Sequence, residues 1–467
     1  MTTTAQHAEA PTLIEHLATF AHAVSPENAS DPATRQAVLC LLDTIGCMIA
    51  GARTEEARKL YRAETETHGE FTHWPLEVRA RLYGFLGDTL ELNDLIGGHS
   101  SIGVVTASLI GAGEYPITGS ALVASVLAGT EVTARLYDSA IGHFKPYSQS
   151  GSVMVGYFNA LGAAATLALM QGLDERATAQ AMAIAAALTG WCPAEVIFGQ
   201  GGTIKPLLFG AIPAESAVRA TAYARHGLTG PIGLIESPIG MMASLATTFD
   251  AARIVDGRGW LITSPQRKLH ASCGYTHSSI DAAHALSLTA DEIRAIESID
   301  VAVPEFFREV VGKIGAPRSA NDARFHLGYV VALALQGNYP ILPEHTLEFA
   351  RELDHGRTRD LSERVRITPD DAVGAGASKP YNVSRVTVRF ADGTERSATC
   401  LSPRGAADNP MSEDEVIQKF LRLVAPSLGD DGARSLADAV LQVAEASSVA
   451  EVADRVGDAV AAQLNED

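Results

Sequence analysis

The feature that most limits the fold is the spacing of apolar residues along the chain. Before about residue 295 no stretch alternates apolar and polar side chains in the manner of a strand. Apolar residues instead recur three and four apart, through Leu13–Val24, Pro32–Ala50, Val78–Asn93, Val104–Gly113, Gly119–Tyr137, Gly151–Gly172, Glu175–Trp191 and Pro213–Gly227. The second of these starts behind Ser30-Asp31-Pro32, a cap followed by proline in the first turn, and ends in an apolar run with one acid, Asp43, inside it. The first 265 residues therefore read as helix.

The period changes after Trp260. Ala295–Val303, Arg364–Thr368 and Ser384–Arg389 alternate as half-buried strands do, and Ala391-Asp392-Gly393 makes a hairpin turn into Glu395–Cys400. Helical segments at Thr276–Ser287 and Asp322–Leu335 lie between them, and from Ser412 the chain is helical again. The expected fold is mainly α: a large all-helical domain built from both chain ends, residues 1–265 plus 405–467, with an inserted smaller α+β domain over 266–404.

Charge narrows the partners. A formal net charge of −19 repels nucleic acid and anionic membrane surfaces, while a small anionic substrate is compatible with it where a few cations converge locally. Five scattered cysteines, odd in number, do not make a disulfide framework and fit a reducing cytoplasm. Residues 1–11 are polar and acidic, without the apolar centre of a signal peptide. Gly151–Met170 is apolar enough to weigh as a membrane span, but Tyr157, Asn159 and its many small residues mark a buried core helix.

One stretch suggests chemistry by itself. Phe198–Gly210 holds Gly199, Gly201 and Gly202, then Lys205 before Pro206. Glycines leave backbone amides uncovered, and amides beside an ammonium suit a carboxylate or phosphate. The plain alternative is a loop between helices with Lys205 in water.

Five stretches, one of them within this loop, resemble the MmgE/PrpD family in order along the chain: Leu41–Gly46 with Ala50-Gly51, Leu92-Asn93-Asp94 leading to His99, Thr203–Leu207, Lys268 through Cys273–Ser278, and Pro403–Gly405 with Asn409–Ser412. The family contains 2-methylcitrate dehydratases, cis-aconitate decarboxylases and an iminodisuccinate epimerase. The resemblance implies an active site between two domains, free of metal and organic cofactor, in a homodimer. It puts Lys205, Lys268, Cys273, His277 and Tyr329 on or beside active-site positions, and Asp94 and His99 in an acidic–histidine segment. Each has a plainer role: Lys268 in a solvated basic patch, His277 as a helix cap, Tyr329 in the core, Gly97-Gly98 before His99 as a helix stop, Cys273 as packing.

The resemblance departs at Lys145-Pro146, where family lyases carry His-Pro, and at Asn93–His99, which is short of an acid and a hydroxyl. Lys145 or Tyr147 then becomes a candidate second base. The expected catalytic set is Lys205, Lys268, Tyr147, Lys145, His277 and Tyr329, with Asp94, His99, Gly201, Gly202 and Cys273 contacting substrate. The expected activity is removal of a proton next to a carboxylate of a small di- or tricarboxylate, most simply by a lyase, with an epimerase as alternative. The rivals are a binding or scaffold protein that has lost the chemistry, and a pyridoxal-phosphate enzyme using Lys205, for which the chain shows no pyridine partner.

Overall fold

The computed structural model describes residues 10–198, 202–354, 356–374 and 382–465. The protein is mainly helical, with one four-stranded sheet among the described residues. Helix α1 spans Leu13–Ala23, and α2 spans Asp31–Gly51 with Ser30 as its cap and proline in the first turn. Then come α3 (Leu76–Asp88), α4 (Ser100–Glu114), α5 (Gly119–Ala140), α6 (Val155–Met170), α7 (Glu175–Leu188) and α8 (Ile212–Arg225). α6, built almost wholly of small and aliphatic residues, is the centre of this layer and packs against α4, α5, α7 and α8. α2 is long and apolar enough to cross a membrane by length and composition, but 83% of that window is buried inside the protein.

The sheet part follows. α9 (His277–Ala285) precedes β1 (Ile296–Val303), and α10 (Glu305–Val311) and α11 (Leu327–Leu335) come between β1 and β2 (Val365–Pro369). β3 (Ser384–Phe390) and β4 (Glu395–Cys400) complete a sheet of order β2-β1-β3-β4. β1 pairs parallel with β2 and antiparallel with β3, Val301 standing opposite Ile367 and Val386. The alternation read from sequence is the burial pattern: Ile299, Val301 and Val303 of β1 and Val386, Val388 and Phe390 of β3 are buried. α9 covers β3 and β4. The last helices, α12 (Glu413–Leu441) and α13 (Ala450–Leu464), pack on α2 and on each other, and α13 also reaches α4.

Two helices differ from their periodicity. Val78–Asn93 stops at Asp88, and the chain turns through Glu91 at φ 52°, a left-handed backbone that a residue other than glycine rarely adopts. Asp322–Leu335 is broken after Arg324, where the His326 side chain accepts from the Tyr329 amide and starts a new helix.

One close approach sets the position of the site. α3 crosses the π-helical stretch Leu207–Ala211, which lies just after Lys205, at Gly84 and Gly210. A Cβ on Gly210 would stand 2.3 Å from the Gly84 carbonyl oxygen, and one on Gly84 would stand 2.4 Å from that of Gly210. Only glycine lets the backbones meet, and one turn beyond the contact Asp88 reaches Lys205. Gly210→Ala is expected to destabilise the protein by about 1–3 kcal/mol, since backbone must move to admit the methyl. A fall in the urea midpoint would register this; an unchanged midpoint would mean that α3 slides freely past the stretch.

Candidate functional site

A cavity of ≈ 330 Å³ lies where the helical layer meets the sheet part. One side of its lining includes Glu91, Tyr137 and Phe209, and the other includes Cys273, Phe306 and Phe325. Its polar groups include Glu91, His99, Gln266, Cys273 and Asn382, and the rest is predominantly aromatic and aliphatic.

Glu91 is the centre of the polar end. It is buried, and Lys268 Nζ donates to its Oε1 at 2.5 Å while Lys205 Nζ donates to its Oε2. Lys205 donates also to Asp88 Oδ1 at 2.7 Å, and its ammonium lies 4.5 Å from the centre of the Phe209 ring. Two cations and two carboxylates are thus locked together out of water. Burial alone would raise the Glu91 pKa, but the two lysines outweigh it and hold the carboxyl well below its ordinary range. Asp88 is pushed up to about 6, by burial first, against the pull of Lys205. Burial would lower the Lys205 pKa, yet Asp88 and Glu91 raise it, so the amine stays charged.

His99 stands beside this cluster, also in a left-handed backbone, at φ 76°. Asn93 Nδ2 lies 2.9 Å from its Nδ1. An amide nitrogen cannot accept, so it donates to Nδ1 and the ring carries its proton on Nε2. Burial, then Lys268, pushes the His99 pKa well below the usual histidine range, so the ring is neutral with a single N–H to offer. Cys273 lines the same cavity; burial pushes its thiol up to about 12, which keeps it protonated. Its amide donates to Arg324 O at 2.9 Å.

The segment carrying Glu91 and His99 is tied down from below. Lys419 of α12 donates to Leu92 O at 2.7 Å and pairs with Asp43 of α2 at 2.7 Å. Asp94 accepts from the Ile96 amide at 3.2 Å and from the Ser101 hydroxyl, which folds the turn between Glu91 and His99. Asp94 therefore holds the loop instead of facing the cavity, and burial pushes it up to about 6.

The remaining expected residues sort by place. Tyr147 lines the cavity and shares a hydrogen bond with Tyr275; burial raises both phenols. Lys205 and Lys268 converge on Glu91, because a buried ammonium needs a carboxylate beside it. His277 is one layer back, its Nε2 3.3 Å from Ser272 O and its ring edge-on to His270, and burial pushes its pKa well down. Tyr329 is buried in α11 and donates to His345 O, so it is not part of the lining. Lys145 donates to Ala243 O at 2.7 Å, also outside the lining. The Gly202 carbonyl accepts from Asn321 Nδ2 at 2.8 Å, and Gly201 lies outside the described residues. Sequence reasoning missed Glu91 and Asp88. Among the described residues no group of three or more His, Cys, Asp or Glu side chains is placed to hold a metal ion.

Models of two family domains match this chain, the MmgE/PrpD N-terminal domain over residues 15–253 and the MmgE/PrpD C-terminal domain over 270–445. The chain belongs to the MmgE/PrpD family. A relative is the cis-aconitate decarboxylase-like protein oryM of Aspergillus oryzae (strain ATCC 42149 / RIB 40), 22% identical over 473 residues, with 92% of this chain and 94% of the relative covered. In this MmgE/PrpD protein the cavity is contributed by both matched regions, with Glu91 and His99 from the first and Cys273 and Tyr275 from the second. Membership supports an enzyme of dehydratase or decarboxylase type.

Removing the shared carboxylate tests the cluster. Glu91→Gln leaves two buried lysines with Asp88 as their one remaining carboxylate and is expected to cost about 3–5 kcal/mol, read as a lowered denaturant midpoint. Adding Lys268→Met to that variant should restore part of the loss, since the orphaned charge goes with it. A single variant as stable as the parent would show the cluster to be dispensable for folding.

Proposed function

We propose that this protein is a lyase that takes a proton from the carbon next to a substrate carboxylate; the electron pair left behind expels a β-hydroxyl as water or, in an unsaturated acid, shifts the double bond, after which carbon dioxide leaves and a proton takes its place. The observation that carries the reading is the juxtaposition at one end of the cavity of a neutral His99 offering Nε2–H and the Lys205–Glu91–Lys268 cluster. Loss of that proton builds negative charge on the substrate carboxylate, and fixed donors in a site closed to water stabilise it far better than water does. His99 serves as such a donor, a depressed pKa being what keeps an imidazole neutral and able to polarise a carboxylate or hydroxyl.

Glu91 is the carboxylate that faces substrate, but alone it is a weak base. The cluster remedies this. A proton arriving on Glu91 passes to Lys205 as Lys205 gives one to Asp88, whose carboxyl at about 6 holds it more firmly. Charge is conserved at each transfer, and the base is the coupled set, not one residue. Cys273 and Tyr147 stay protonated and complete the donors around the reacting end.

Epimerisation is less well supported. It needs a second base on the opposite face of one carbon; Lys145 is engaged with Ala243 O, and the Tyr147 phenol is raised by burial. A non-catalytic scaffold is also less well supported, because it would have no reason to keep two lysines and two carboxylates buried beside a cavity, at a cost in desolvation.

Screening hydroxy- and unsaturated di- and tricarboxylic acids, cis-aconitate among them, by NMR in heavy water tests the reaction. An alkene that has lost its α-proton, or a decarboxylated product carrying solvent deuterium where carbon dioxide left, is expected; α-exchange that yields only a stereoisomer would refute elimination. With a substrate in hand, His99→Gln should lower kcat by a factor of about 10² or more while the fold is kept. Turnover close to the parent's would remove His99 from the mechanism.

The pH dependence has a definite sign. The base works ionised, so kcat should rise with pH through about 6, where Asp88 loses its proton, and fall below it. Asp88→Asn should abolish that limb. Asp94→Asn should retain it, although Asp94 is also pushed up to about 6, because Asp94 holds a turn and carries no proton for the reaction.

A further inference from the structure

Most of the cavity is unsuited to a small, highly charged acid. Beyond its polar end the lining is mostly aromatic and aliphatic, with Tyr137, Ile141 and Phe144 on one side and Tyr275, Phe306 and Phe307 on the other. These are set by ring contacts and not merely collected. Tyr137 and Phe144 lie 5.4 Å apart between ring centres, Tyr147 and Phe306 5.4 Å, Tyr275 and Phe306 5.5 Å, and Tyr275 and Phe307 are stacked at 4.4 Å. Aromatic pairs at such distances hold one another's orientation, so the wall exists before a ligand arrives.

Charge points the same way. No lysine or arginine is among the described lining residues, and Lys205 and Lys268 are already matched by Glu91 and Asp88. One carboxylate can use the donors at His99 and the field of the cluster. Two more, laid against phenylalanine and valine, would lose their water and gain nothing in return. An apolar group in the same place gains about fourfold in affinity per methylene buried.

We propose that the substrate carries an apolar arm of several carbons, alkyl or aryl, seated between the Tyr137–Phe144 and Phe306–Tyr275 walls while its reacting carboxylate lies at His99 and Glu91. The inference rests on the lyase reading for the position of the carboxylate and extends it from small polyacids to substituted ones. The arm sets specificity, and the polar end performs the chemistry.

A chain-length series decides it. Succinates bearing a straight alkyl chain of one to six carbons are titrated into the intact protein by calorimetry, and the matching 2-hydroxy acids are followed for α-proton exchange in heavy water. Kd should fall about fourfold per added methylene across the first four carbons. Phe306→Ser and Ile141→Ser, both at half-buried positions, should each reduce the methyl-to-hexyl ratio of Kd by about fivefold or more, and having two variants guards against one failing to fold. A Kd indifferent to chain length, one that weakens beyond methyl, or no binding by any member overturns the proposal. A series that tightens with length while no member exchanges its α-proton or forms an alkene leaves the arm site standing and refutes the lyase reading.

Discussion

A single carboxylate shared by two buried lysines is the interaction on which the site depends. Glu91 takes Lys268 on one oxygen and Lys205 on the other, and Lys205 carries the link on to Asp88. None of these charges could be buried alone, since an unpaired ion in a protein interior loses several kcal/mol of hydration. Their mutual pairing also fixes position. Lys205 comes from the start of the π-helical stretch, Lys268 from the connection into the sheet part, and the carboxylates from the end of α3. The cluster therefore joins three segments distant in sequence at one edge of the cavity.

The frame beneath it explains two oddities of the chain. Asp43, an acid inside the apolar run of α2, is there to hold Lys419, and Lys419 in turn holds the Leu92 carbonyl next to Glu91. Lys419 belongs to α12, so the C-terminal part of the chain is needed to brace a segment less than a hundred residues from the N-terminus. Two residues other than glycine, Glu91 and His99, are held with positive φ at the ends of that braced segment. Such backbone costs about 1–3 kcal/mol per residue and persists only where the surroundings dictate it. Here they do, through Asp94 with Ser101, Asn93 with His99, and Lys419 with Leu92.

Helices and strands were readable because their periods persist over many residues, and β1 and β3 bury the residues their alternation predicted. Lys205 was readable from the glycines before it and the proline after it, and Lys268 from the resemblance. Glu91 was not, because Thr89–Asn93 continues the helical pattern of α3 and nothing local announces the turn. A signal was nonetheless present. Asp88 and Glu91 are two acids three apart in an apolar run, the same anomaly as Asp43, and an acid in such a run calls for a buried cation. The aromatic wall had no local signal, because Tyr137, Phe144 and Phe306 meet only through the fold. For the same reason, Lys145 and Tyr329 looked suitable by residue type, while the backbone carbonyls that occupy them, of Ala243 and His345, could be found only in three dimensions.

The apolar wall and the charged cluster are one design. Aromatic walls keep water out, which strengthens every charge interaction beside them and makes any unmatched charge costly. That is why the cluster must be close to neutral, and why its two carboxylates are shifted in opposite directions: both touch Lys205, but Glu91 has Lys268 as well. The extra cation keeps Glu91 ionised, and its absence lets burial push Asp88 up to about 6. One neutral ion cluster thus contains a carboxylate that stays charged and another that can hold a proton near neutral pH. A cluster balanced symmetrically would have no such place to store a proton, and a wetter cavity would let both acids return to ordinary values. The difference between the two acids, set by one lysine in a dry site, is what turns a structural ion pair into a candidate base.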